Sequence, residues 1–214
     1  MPNHITNYLT IHADNDRVNE VLDAIALSKP DDWGYGDSQT CPNTDELAWG
    51  RYTMDFNKII PMPDHIRTGS IRVEDLTRYG ESCWHGWSLA NWGTKWNAYE
   101  SQKSANNRLM FLTAWSNVAA LMITLSKKFP DVVFEYSCYD EDFGSQVMHI
   151  KMKNGFMFER HTPKDFSKEA YELIFKMTSC SAEDFDMRFD ETKDLFGNSK
   201  PIYLFYQKPP FLID

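Results

Sequence analysis

The stretch from Leu109 to Tyr139 most constrains the fold. Leu109, Phe111, Thr113 and Trp115 alternate with Met110, Leu112 and Ala114. Alternation at period two predicts a strand, and apolar residues on both faces predict a central place in a sheet. Ser116 is a candidate N-cap for the helix that follows. Val118, Leu121, Met122, Leu125 and Phe129 repeat at helical spacing, Lys127 and Lys128 suit a helix C-terminus, and Pro130 stops the helix. From Asp131 to Tyr139 the alternation returns, with Val132, Phe134, Tyr136 and Cys138 predicted to point inward.

The first part of the chain repeats this order. Ile5, Asn7, Leu9 and Ile11 alternate with Thr6, Tyr8, Thr10 and His12, a strand pattern. Asp14 is a candidate N-cap, and Val18, Val21, Leu22 and Ile25 form one helical face. Alternation at Tyr52, Met54 and Phe56 predicts a second strand over Arg51–Phe56, ended by Pro61 and Pro63. A helix is predicted over Glu74–Trp92, weakened by Gly80 and Gly86, and a short strand over Tyr99–Ala105 before the turn signal Asn106-Asn107. Asn154-Gly155 between two alternating runs is a two-residue hairpin signal. The predicted fold is α+β, a ferredoxin-like split β-α-β sandwich with a long insertion between the second and third strands.

Character changes after Arg160. Lys168–Thr178 reads as an amphipathic helix with Tyr171, Ile174 and Phe175 on one side. Ser181 is a candidate cap for another helix through Phe185 and Phe189 to Phe196, and Pro201–Gln207 can form a final strand or arm. Residues 1–160 are thus expected to form one domain and 161–214 a C-terminal helical extension packed on it. The composition shift further suggests that residues 1–160 fold without the extension.

Charge narrows the partners. The net charge is −9, and from Asp14 to Glu46 nine acids face only Arg17 and Lys29. Such a chain repels duplex nucleic acid, and no run of basic residues stands out against that field. No apolar stretch approaches a membrane span, and the start lacks a signal peptide's basic and apolar blocks, so a cytosolic protein is expected. Cys41, Cys83, Cys138 and Cys180 lie far apart, which favours free thiols over a metal site. No cofactor motif, serine-hydrolase elbow, zinc-protease helix or phosphate loop is present, so neither cofactor nor metal is expected. His149 and His161 stand near Glu159 without the repeated His-x-Ser/Thr pattern of a paired-histidine phosphodiesterase.

The remaining chemistry gathers in Asn91-Trp92-Gly93-Thr94-Lys95-Trp96-Asn97-Ala98 and in Thr113-Ala114-Trp115-Ser116, two stretches expected to meet in space. Trp92, Thr94, Lys95, Trp96, Asn97 and Trp115 are the candidate ligand- or partner-binding residues, with no catalytic residue among them. Trp92, Trp96 and Trp115 can stack a base while Lys95 takes a phosphate. Equally, large aromatics fill cores with their indole N–H groups bonded to backbone carbonyls.

With Met54-Asp55-Phe56-Asn57-Lys58-Ile59-Ile60-Pro61-Met62-Pro63 ahead of them, these motifs resemble the YubB-like proteins of conjugative plasmids and phages. That group has a ferredoxin-like domain and no established activity, and the resemblance spans roughly residues 1–160. It implies a phage or plasmid accessory protein in the host cytosol, non-enzymatic, that binds and inhibits a host defence protein. The alternatives are a small-ligand binder holding a nucleotide-like molecule in a Trp-lined cleft, and a hydrolase whose site the sequence does not reveal.

Overall fold

A computed structural model describes residues 3–26, 54–69, 77–185, 187–190 and 195–198. The acidic segment Asp31–Leu47, the start of the predicted strand at Arg51, the start of the predicted helix at Glu74 and the arm Pro201–Gln207 lie outside the described residues.

Strand β1 (His4–His12) leads into helix α1 (Asn15–Ile25), capped as expected by the Asp14 carboxylate, which accepts from the Arg17 N–H at 2.9 Å. After the insertion come helix α2 (Trp84–Asn91), strands β2 (Tyr99–Ala105) and β3 (Arg108–Ala114), and helix α3 (Ala119–Lys128). Strands β4 (Val133–Asp140), β5 (Met148–Lys153) and β6 (Phe156–His161), helix α4 (Lys168–Thr178) and a small hairpin of β7 (Met187–Asp190) with β8 (Leu195–Asn198) complete the order.

The large sheet runs β2-β3-β1-β4-β5-β6, every neighbouring pair antiparallel. The order β2-β3-β1-β4 with helices α1 and α3 is the ferredoxin-like split β-α-β arrangement. Its second strand is Tyr99–Ala105, joined to β3 by the Asn106-Asn107 turn. The insertion therefore lies between α1 and β2, one connection earlier than the alternation at Arg51–Phe56 suggests. There Met54 makes a single bridge to Ala26, and Phe56 opens a 3-10 turn, so the alternation does not continue as a sheet strand.

Two further readings are corrected. The helix predicted over Glu74–Trp92 is broken: Gly80–Ser82 is a 3-10 turn and Cys83 pairs with Arg67. Gly86 packs so tightly against the Gly80 carbonyl that a methyl there would collide, and Gly80 itself takes φ +52, which favours glycine. The helix predicted from Ser181 to Phe196 is instead a 3-10 turn at Glu183–Phe185 followed by the β7–β8 hairpin. Ser181 does not cap with its side chain: it donates both its N–H and its O–H to the Asp184 carboxylate, which holds the start of that turn. The period-two alternation of Met187 and Phe189 with Arg188 and Asp190 then overrides the helical spacing.

One face of the sheet is covered by α1, α3 and the insertion. Ile5, Leu9 and Ile11 of β1, Leu109 and Phe111 of β3, and Phe134, Tyr136 and Cys138 of β4 meet Val18, Leu22, Leu121, Met122 and Leu125 there. Helix α3 begins at Ala119 rather than at a Ser116 cap; the Val118 N–H is taken by the Tyr136 hydroxyl at 3.0 Å. On the other face α4 packs Ala170, Ile174 and Met177 against Tyr8, Met110, Leu112 and Tyr139. Arg108 stacks on Tyr8 and donates to the Met177 carbonyl at 2.6 Å, at the last turn of α4. Because α4 closes this second core, a chain ended after Arg160 is expected to lose cooperative thermal unfolding and to aggregate. Calorimetry on the truncated chain checks this, and a single sharp transition would restore the expectation that residues 1–160 suffice. Among the described residues no helix is long and apolar enough to cross a membrane.

Candidate functional site

The Trp loop begins where α2 ends. Trp92 and Gly93 both donate their N–H to the Ser88 carbonyl, and Gly93 takes φ +82, the left-handed stop that favours glycine. The chain then turns back along the sheet. Thr94, fully buried, donates to the Ala114 carbonyl at 2.9 Å and accepts from the Ala114 N–H at 3.2 Å. These two bonds tie the loop to the end of β3, so the two stretches meet. Asn97 joins the third motif: its side-chain oxygen accepts from Phe56 N–H at 2.8 Å and its amide donates to the buried Asp55 carboxylate at 2.7 Å.

The six candidates separate into two groups. Trp92 is only 2 % exposed, lies edge-on to Phe56 and Trp87, and donates its indole N–H to the Ile60 carbonyl at 2.9 Å. Like Thr94 and Asn97, it is bound to neighbouring segments from within the loop. Lys95, Trp96 and Trp115 reach the surface together. The Lys95 ammonium sits 4.6 Å from the Trp96 ring centroid and 5.1 Å from that of Trp115. Among the described residues Lys95 has no carboxylate partner. The two indole quadrupoles face its charge.

Trp115 does not share the face of Leu109 and Phe111. Strand β3 stops at Ala114, and a tight turn closed by Ser116 N–H on the Ala114 carbonyl puts Trp115 at φ +64. A bulky residue at positive φ in such a three-residue turn is strained. The turn swings the indole outward, 45 % exposed. Its backbone is clamped on both sides, the N–H donating to the Asn3 carbonyl and the carbonyl accepting from the Gln146 amide. Gln146 is itself left-handed at φ +50, and its amide also donates to the buried Asp140 carboxylate at 2.7 Å. Strain maintained by surrounding bonds is a mark of functional sites.

Sequence reasoning missed His4 and Tyr99 beside this patch. The Tyr99 hydroxyl lies 2.6 Å from His4 Nδ1, and its ring is edge-on to Trp96. Burial, with Glu100 and Glu141 nearby, pushes the phenol well above its ordinary range, so it stays a neutral hydrogen-bonding group. Nothing in the spacing of residues 4 and 99 announces the contact; it arises from the sheet order.

A second polar row lies across β1, β4, β5 and β6. The Ser137 hydroxyl is 2.9 Å from His149 Nδ1, and His149 Nε2 is 3.3 Å from Glu159. Ser137 is buried under the imidazole, which places the hydroxyl away from an approaching substrate. Among the described residues no three His, Cys, Asp or Glu side chains are placed to hold a metal. Cys83 and Cys138 are buried free thiols, and burial pushes the Cys138 thiol up to about 12, far from a reactive thiolate.

No curated protein and no solved structure matches the chain. Residues 91–181, from the first residue of the Trp loop to just past α4, match the family described as the ferredoxin-like domain in Api92-like protein.

Proposed function

We propose that this chain is a non-enzymatic accessory protein of a phage or plasmid that binds and inhibits a host defence protein in the host cytosol, with Lys95, Trp96 and Trp115 as its contact. The motif likeness to YubB-like proteins supports the genetic context, and residues 1–160 with the extension 161–214 form the unit that presents the patch. The observation that carries the reading is Trp115, an indole held outward in a strained turn by Asn3 and Gln146. Exposed, rigidly held Trp residues are typical anchors of protein interfaces.

The test separates stability from binding. At φ +64 the left-handed backbone disfavours tryptophan by about 1–2 kcal/mol, whereas glycine adopts it freely at an entropic cost of about 0.5–1 kcal/mol. Trp115→Gly is therefore expected to hold stability within about 1 kcal/mol while abolishing capture of the partner from host lysate. Lys95→Ala should weaken capture with a stability change no larger than about 0.5 kcal/mol. If both variants retain the same partner at wild-type affinity, the patch is not the contact. A second reading rests on Lys95 lying between two indoles with no carboxylate partner among the described residues. A nucleotide-like ligand would stack on Trp115 with its phosphate on Lys95. Thermal shift with a nucleotide panel, abolished in both variants, would favour that ligand over a protein partner.

A further inference from the structure

We propose that the tip of the β5–β6 hairpin, remote in sequence from the Trp loop, is a platform for single-stranded nucleic acid. Asn154 and Gly155 both take positive φ, as the two-residue turn requires. The Gly155 N–H donates to the Ser126 hydroxyl at 2.9 Å, which fixes the tip against the end of α3. The Lys127 side chain lies directly over Gly155, where any β-carbon would displace it. Fold thus brings together what the sequence keeps apart: Lys127 from the helix and Lys153 from the hairpin, where it pairs with Phe156, both exposed. Among the described residues Lys127 forms no ion pair, Lys153 feels the Asp131 carboxylate, and Lys151 is bound to Glu159 at 3.1 Å.

Beside these cations stand two open rings. Phe156 is 70 % exposed and Phe158 51 %, while Met157 between them packs on the core. The register shifts between Lys151 and Met152, so Phe158 is the extra residue of a β-bulge, a device that re-aims a side chain. Rings two residues apart on a strand lie roughly 7 Å apart, with π-faces that accept any base. Flanking cations then take the phosphates. A flexible single strand can follow a patch this small, while the net charge of −9 elsewhere repels a rigid duplex. The same-sign cations disfavour a second copy of the chain on this surface. The buried Met157 divides the rings and leaves no continuous apolar wedge for a lipid surface.

The experiment is fluorescence anisotropy of the full chain with a labelled homothymidylate oligonucleotide, a duplex of equal length, and anionic phosphatidylserine vesicles as competitor. Expected are binding at low salt, weaker duplex binding, and a log–log salt slope of about −1.4 for two phosphate contacts. The Phe156→Ala/Phe158→Ala double variant should lose about tenfold or more in affinity, with its melting temperature unchanged because both rings are exposed. Should that variant melt early, Lys127→Gln with Lys153→Gln decides the matter by flattening the salt slope. The proposal is overturned by no binding at low salt, by equal binding of duplex, by wild-type affinity in these variants, or by binding to vesicles alone.

Discussion

Trp92→Ala is expected to lower unfolding stability by about 3–5 kcal/mol, the largest single effect in the Trp loop. The side chain is among the largest fully buried ones, and truncation opens a cavity between Phe56 and Trp87. It also leaves the Ile60 carbonyl without its indole donor. Denaturant unfolding followed by far-ultraviolet dichroism measures the loss. The contrast with Trp115→Gly is the informative part. Two tryptophans of the paired motifs should behave oppositely, one lost to stability and the other to binding. A shift below about 1 kcal/mol for Trp92→Ala would show that the insertion, not the sheet, moves to fill the gap.

Asn7→Ala is expected to destabilise by about 2–4 kcal/mol, although the residue is polar and sits mid-strand. Its amide donates to the carbonyls of Ile5 and Phe111 and to the Thr113 hydroxyl, and its oxygen accepts from the Tyr136 hydroxyl at 2.6 Å. All of this lies in the fully buried layer beneath α3. Truncation strands several polar groups at once, where no water replaces the lost partner. Tyr136→Phe should be milder, about 1–3 kcal/mol, and the two changes should not add. The network also reaches the exposed Trp115 patch, because the Thr113 hydroxyl donates to the Ser116 carbonyl inside the turn that strains Trp115. Hydrogen exchange at Trp115 and Ser116 should therefore accelerate in Asn7→Ala before global unfolding. Unchanged protection there would uncouple the core network from the patch.

Local pattern made the first sheet face legible. Alternation and capping chemistry gave β1, α1, β3, β4 and the Asn154-Gly155 hairpin, because each depends on neighbours in sequence. The apolar second face of β3 announced a cover, and the stripe on Lys168–Thr178 supplied it. Trp115 was misread by one residue. Alternation continues through it on paper, but the strand ends at Ala114 and nothing in the sequence marks the left-handed turn. The tail failed for a different reason: Phe185, Phe189 and Phe196 fit a helix stripe, while β-sheet pairing of Met187–Asp190 exploits the shorter period. The seat of Lys127 over Gly155 was beyond reach, since it depends on how a helix end and a hairpin tip dock.

The sheet order has a consequence for how the chain is made. Strand β1, which is synthesised before its neighbours, ends up flanked by β3 and β4, with His4 opposite Ala114 and Ile5 opposite Asp140. Neither edge of β1 can be satisfied until those distant residues emerge. At synthesis rates of about 5–20 residues per second, the nascent strand waits on the order of ten seconds with an apolar face uncovered. Such long-range closure slows folding and favours engagement by a holding chaperone during translation. A permuted chain that starts at Arg108 would deliver β3 and β4 before β1, which then enters a waiting groove, so its cell-free translation without added chaperones should leave less aggregate than the natural order.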